Sequence, residues 1–322
     1  MDTVYITQEN STLARAEEHL ILKKQGRSVA TIPVAELKTI VITCSVQITS
    51  FALELLFDNG IDVIYATRGG KIKGRIDSAK GGGAIVRLAQ HSAFLDGEFR
   101  LSIAREIVRA KIHNQLRVIQ KHSKHNFTAE IKDNIEKISA HSAKLDAVQT
   151  ADEIMGTEGI SAKVYWECFR QMLNENISPL FCKRDYRPAP DIVNSALNLG
   201  YAFLANEITA ALSVNKFDIE IGFLHSIHYG RNSLVLDIME EFRAPFIDNW
   251  ILTMFNRRFL KAELFKGRED GYFLSDDGFH KFCASYADRV NDGKWRKFFR
   301  QQSEELKSAI TTKQPYRGFR YE

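Results

Sequence analysis

The chain has 322 residues, 44% hydrophobic and 26% charged, a balance that excludes wholesale disorder and leaves room for two ordinary cores. Lys and Arg number 44 against 40 Asp and Glu, so the net charge of +4 neither requires nor forbids a polyanionic partner. No apolar run approaches the ~20 residues of a membrane span, and residues 1–10 carry no basic stretch followed by an apolar core, so the expected setting is the cytoplasm with no membrane attachment.

Six short runs at residues 4–6, 20–23, 29–32, 39–42, 62–66 and 71–76 are rich in β-branched residues and separated by turn formers, which predicts strands. Gly69-Gly70 sits between the last two, where a tight hairpin would turn. A single helix interrupts them, with Ile48, Phe51, Ala52, Leu55 and Leu56 on one face and Gly60 placed to end it. Gly81-Gly82-Gly83 marks a joint, after which the period becomes helical. Leu101, Ala104, Val108, Ile112, Leu116 and Ile119 line one helix; Ile131, Ile135, Ile138 and Leu145 line the next, with Thr128 as its cap. Further helical patterns cover residues 158–173, 192–212, 233–241, 246–255 and 279–290, with Pro188 and Pro190 breaking the chain between two of them. The expected class is α+β: a β-rich domain over residues 1–85, then a larger all-helical domain over 86–322.

Charge is concentrated. Residues 100–125, 257–268 and 294–300 together hold 16 basic and 2 acidic residues, which leaves the remainder at −10. A basic surface on an acidic background is the footprint of a phosphate-backbone binder. Arg105, Arg109, His113, Arg117 and Lys121 recur every fourth residue on the first long helix. The second segment opens with Arg257 and Arg258, and in the third Lys294, Arg296 and Lys297 alternate with Trp295, Phe298 and Phe299, a pattern suited to stacking on unpaired bases. The blander reading makes those rings core and the cations their solvated flank.

Several chemistries are excluded by missing motifs: no G-x-x-x-x-G-K-[ST], no G-x-S-x-G and no H-E-x-x-H occurs. The four cysteines (Cys44, Cys168, Cys182, Cys283) include no C-x-x-C pair, against a cysteine zinc site. Acids and histidines beside small residues remain. Glu158 lies in Gly156-Thr157-Glu158-Gly159, entering a helix, where it also fits an ordinary first-turn acid. Asp237 and Glu240 share a face of an otherwise apolar helix, and a carboxylate in such surroundings wants a metal or a cation. His225 lies just upstream, and two carboxylates with one imidazole form a candidate divalent-metal site; the competing reading is a cap, a surface acid and a hydrogen-bonded histidine. His225 with His228 has no further histidine or cysteine nearby to complete a zinc site.

At these residues the sequence resembles the CRISPR-associated integrase family, the universal nuclease of spacer acquisition. The likeness runs through residues 104–115, Gly156-Thr157-Glu158-Gly159 with Ala162, Asp191-Ile192-Val193-Asn194 leading to Gly200-Tyr201, Gly222-Phe223-Leu224-His225, and residues 237–243, with residues 244–248 and 255–257 also similar. The resemblance implies an N-terminal β-sandwich, a helical catalytic domain and a homodimer joined largely through the β domains. It implies that Glu158, His225 and Glu240 ligate Mg2+ or Mn2+, with Asp237 as a supporting acid. It further implies a prokaryotic protein that inserts spacer DNA into a CRISPR repeat by 3′-hydroxyl attack, assembled with a small ferredoxin-like adaptation partner on a duplex with single-stranded ends. Arg243 and the basic residues named above would then bind DNA. The family often carries Asp where Glu240 stands, and residues 218–221 lack its usual Asp-Pro. The reading from a different class is a non-catalytic nucleic-acid-binding scaffold; a third is an unrelated metal-dependent hydrolase of small molecules.

Overall fold

The computed structural model describes residues 3–35, 37–67, 72–76, 83–124, 127–186, 188–269, 271–291 and 294–322. Its first part comprises β1 (Thr3–Ile6), β2 (Ser11–Ala16), β3 (His19–Lys24), β4 (Arg27–Pro33), β5 (Thr39–Ile42), β6 (Val46–Ile48), α1 (Ser50–Asp58), β7 (Asp62–Ala66) and β8 (Ile72–Ile76). The strands form two four-stranded sheets, ordered β1-β5-β7-β8 and β4-β3-β2-β6. Ile6, Ile40 and Val63 of one sheet and Leu13, Leu20 and Ile32 of the other are buried in one cluster with Ala52, Leu55 and Leu56 of α1. The apolar faces of both sheets are thus covered by each other and by α1. Gly60 adopts φ 65° and donates its N–H to the Phe57 carbonyl, closing α1 as the glycine rule predicts.

All six expected strands are present. Strands β2 and β6 escaped the sequence pattern because Leu13 is the only large apolar side chain of β2, while β6 has only three residues. Gly69-Gly70 and Gly81-Gly82 lie outside the described residues.

The second part comprises α2 (Gly83–Leu95), α3 (Gly97–His122), α4 (Ala129–Lys144), α5 (Ala151–Met172), α6 (Ile192–Val214), α7 (Ser233–Phe242), a π-helical turn (Arg243–Asp248), α8 (Asn249–Asn256), β9 (Phe265–Arg268), β10 (Gly271–Leu274), α9 (Asp276–Asn291) and α10 (Trp295–Thr312). Helix α3 is the hub: it packs on α2, α4, α5, α7 and the π-helical turn. Its length follows from a continuous buried face, from Ile103 through Ile107, Val108 and Ile112 to Val118 and Ile119. The region is helix-rich as expected, but the β9–β10 hairpin interrupts it. Gly271 takes φ 108° there, and a Cβ would stand 2.8 Å from the Ala189 carbonyl oxygen, so only glycine lets the hairpin lie against that loop.

Helix α5 begins seven residues before the expected start. Thr150 caps it by accepting from the Glu153 N–H, and Glu153 reaches back to the Thr150 N–H, a reciprocal capping box. Glu158 therefore stands two turns inside the helix. The first-turn explanation of this acid is corrected: its position there earns nothing from the helix dipole. Among the described residues no helix is long and apolar enough to cross a membrane. The four cysteines are free.

Candidate active site

Three helices converge on one cation. Lys111, on the buried side of α3, places its ammonium between Glu158 of α5 and Glu240 of α7 and donates to Oε1 of the first and Oε2 of the second. The three side chains are 11%, 18% and 7% exposed, so they meet at a mouth that opens toward Glu158. Arg243, just beyond α7, pairs with the other oxygen of Glu240 at 3.1 Å and lies 4.7 Å above the Tyr201 ring. Burial alone pushes the Glu240 carboxyl up, but Arg243 and Lys111 outweigh it and hold the group down to about 2. At Lys111 burial works toward the neutral amine, and Glu240 and Glu158 overcome it, lifting the ammonium well above the usual lysine range.

Asp237 organises the imidazole. Its carboxylate, fully buried, accepts the backbone N–H groups of Phe223, Leu224 and His225 at 2.5, 3.0 and 2.9 Å. It also contacts His225 Nδ1 at 2.7 Å. Four contacts on one carboxylate fix both the loop and the ring, leaving His225 Nε2 as the nitrogen available to a ligand. Gly222 makes this approach possible, because a Cβ there would stand 2.7 Å from Asp237 Oδ2 and 2.9 Å from the Ser233 carbonyl carbon. Asp237 is therefore committed to supporting His225.

The donor set suits a hard divalent cation: two carboxylates already share one positive group, and a carboxylate-anchored imidazole lies close enough to lower the Glu240 pKa. Yet among the described residues no three His, Cys, Asp or Glu side chains form a ready-made metal cage. Glu158 and Glu240 are gathered around an ammonium instead.

A second buried layer braces this centre. Glu241 accepts the Tyr316 hydroxyl at 2.6 Å and the Phe319 N–H at 2.7 Å, while Asn114 of α3 bonds the Glu241 and Phe319 carbonyls and the Tyr321 N–H. Burial pushes the Glu241 carboxyl up to about 8, against the pull of those two donors. Asp248 accepts the hydroxyls of Tyr165 and Tyr201, and burial still pushes it up to about 6.

The residues expected to touch DNA fall into two groups. Arg117, Lys121, Arg257, Arg258, Lys294 and Lys297 are exposed; Lys121 bonds the Tyr321 hydroxyl, and Arg117 bonds Gln120 on its own helix. The others are engaged within the fold. Arg105 donates to the Val148 carbonyl, and Arg109 binds Glu106 and Asp146. Arg243 serves Glu240, and Arg296 grips the buried Glu207 through Nε and Nη2 at 3.0 Å each. The regular stripe on α3 is thus split: Arg105 and Arg109 are taken up by neighbours, and Arg117 and Lys121 stay exposed. Base stacking by Trp295 and Phe299 is also corrected, since both are buried against Phe246 and Phe242; Phe298 is half-buried. Lys111 is the residue of this cluster that the sequence pattern did not single out. It stood within the family-like segment 104–115, and its one available signal was its place on the apolar side of α3, where a lysine needs a buried anion.

Comparison with known proteins bears on the family and the fold. The family model described as "CRISPR associated protein Cas1" matches residues 4–288. The CRISPR-associated endonuclease Cas1 3 of Thermus thermophilus is 29% identical over 89% of this chain and 82% of its own length. Among solved structures, a casposase bound to integration product superposes with TM-score 0.80 at 23% identity, covering 100% of this chain and 95% of that one. A chain of a Cas6-RT-Cas1–Cas2 complex superposes with TM-score 0.83 at 21% identity, over 99% of this chain and 36% of that one. These two likenesses concern the fold.

Proposed function

The chain belongs to the Cas1 family of CRISPR-associated proteins, and from that premise we propose that it is a divalent-metal-dependent DNA endonuclease and integrase that inserts spacer DNA into a CRISPR array. The observation that carries the reading is the convergence of Glu158 and Glu240, from separate helices, on one cation beside an imidazole anchored by a third acid. Glu158, Glu240 and Nε2 of His225 would hold Mg2+ or Mn2+. When bound, that ion supplies Lewis-acid stabilisation of charge on the phosphate oxygens.

The chain's own residues do the rest. Asp237 keeps the His225 ring in one orientation, with Nδ1 turned inward. Arg243 pairs with Glu240 through Nε, and the N–H groups of its two Nη atoms draw a phosphodiester toward the acids. The nucleophile is the 3′-hydroxyl of the incoming strand during integration and water during cleavage, so no protein nucleophile is required. Exposed cations, Arg117, Lys121, Arg257, Arg258, Lys294 and Lys297, bind duplex phosphates without reading sequence. The working assembly is a homodimer joined through the β domain of residues 1–85, with the 86–322 domain catalytic and the small ferredoxin-like adaptation protein as partner; a Cas2 chain accompanies the structural neighbour described above.

The test is strand transfer of a short duplex with single-stranded ends into supercoiled DNA. Glu158→Gln should lose about 100-fold or more of Mn2+-dependent transfer, at least the upper range for loss of a residue that merely supports a ligand. DNA affinity at fixed salt should be retained. Transfer that survives in the variant, or in the wild type with EDTA, removes the assignment; DNA binding with no turnover in any metal would make the protein a scaffold.

A further inference from the structure

We propose that Lys111 is a resident cation that holds the two acidic ligands together until a divalent metal displaces it. The inference rests on the metal reading above and concerns how this chain occupies the site when metal is absent.

The ammonium touches Oε1 of Glu158 and Oε2 of Glu240, oxygens contributed by α5 and α7. Among the described residues it is the group that bridges the two carboxylates. Without it, two carboxylates would face each other in a cleft where Glu240 is 7% exposed, and like charges so placed repel strongly. A divalent ion held at Glu158 Oε1 and Glu240 Oε2 would stand beside the ammonium already on those oxygens, and two cations so close repel in a poorly screened place. Metal and Lys111 therefore compete for the same two oxygens.

The fold also offers the displaced side chain somewhere to go. Gln115 lies one turn further along α3, on the same face as Lys111. It is 3% exposed, and its carbonyl oxygen has no hydrogen-bond partner among the described residues. A buried acceptor left open is costly unless another state of the protein satisfies it. The Lys111 ammonium, swung off the carboxylates on its four-carbon stem, satisfies it.

The experiment is Mn2+ titration by calorimetry of the full-length protein, with thermal unfolding of each variant with and without Mn2+. Lys111→Met and Lys111→Gln should bind Mn2+ about tenfold more tightly than wild type, a change of one decade in Kd. Both should melt lower than wild type without metal and gain more from its addition, since binding to the native state alone raises stability. Should neither neutral variant fold, Lys111→Arg, which grips the two acids with a planar fork, must bind Mn2+ more weakly than wild type. Gln115→Leu should weaken binding several-fold in the wild-type background and not in Lys111→Met. Unchanged or weaker Mn2+ affinity in folded Lys111→Met and Lys111→Gln overturns the proposal, and an equal Gln115→Leu effect in both backgrounds removes Gln115 from it. If the wild type itself binds no Mn2+, and Glu158→Gln leaves all titrations unchanged, it is the metal reading that fails.

Discussion

Helix α7 and the start of α10 make the same sequence move with opposite results. Each sets charged residues among large apolar ones, and each buries an ion pair: Glu240 with Lys111 and Arg243 in the first, Arg296 with Glu207 in the second. At α7 the acids come from two helices, and Glu158 keeps an opening to solvent. At α10 the acid is closed off, and it is the Arg296 side chain, 13% exposed, that reaches the surface. Glu207 is 3% exposed and also accepts the Tyr5 hydroxyl from β1 at 3.0 Å, so the cluster joins the sheet domain to α6 and α10. A charge inside an apolar run announces a buried partner. It does not say whether that partner is permanent; the difference is whether anything else can reach the spot.

The sharpest way to break this contrast is Glu207→Ala. Removing one member of a buried pair takes away the other's counter-charge, at a cost of about 3–5 kcal/mol, and here it also frees the Tyr5 hydroxyl. Chemical denaturation should register that loss, while strand transfer per folded molecule at low temperature stays near wild type. A variant of normal stability with weakened DNA binding would make α10 a ligand surface after all. Next in size is Asp237→Asn. One of its oxygens becomes an amide that faces N–H donors, so the His225 loop loses its anchor. Mn2+ affinity should fall roughly 10–100-fold, the usual cost of removing a group that orients a ligating histidine. Unaltered affinity would show that His225 is held by other means.

The legible parts of the sequence were those decided by local rules. Six strands, the Gly60 cap, the Thr128 cap and the apolar face of α3 follow from side-chain period and terminus chemistry, and the acids and histidine of the site sat in short segments with family character. What stayed hidden depended on partners distant in sequence. Arg296 reads as a free cation until α6 supplies Glu207, 89 residues earlier. Arg105 and Arg109 look like a stripe until the loop before α5 supplies Val148 and Asp146. The capping box at Thr150 was readable and would have placed Glu158 mid-helix. Lys111 was readable only as an exception to burial rules, since neither carboxylate lies within 40 residues of it.

The smallest expected effect separates the two kinds of cation inside one segment. Lys294 and Lys297 are exposed, whereas Arg296 between them is tied to Glu207. Each lysine that neutralises a phosphate on duplex DNA releases about 0.9 of a counterion, so the double variant Lys294→Ala, Lys297→Ala should reduce the slope of log affinity against log salt by roughly 2. Stability should move little, because exposed side chains away from packed features contribute within about 0.5 kcal/mol. Arg296→Ala should do the reverse, leaving the salt slope in place and lowering the unfolding midpoint as the buried Glu207 loses its counter-charge. The two variants differ by positions that a net-charge count treats as identical. If all three substitutions flatten the slope alike, Arg296 leaves Glu207 when DNA binds, and the pair at α10 is as displaceable as the one at α7.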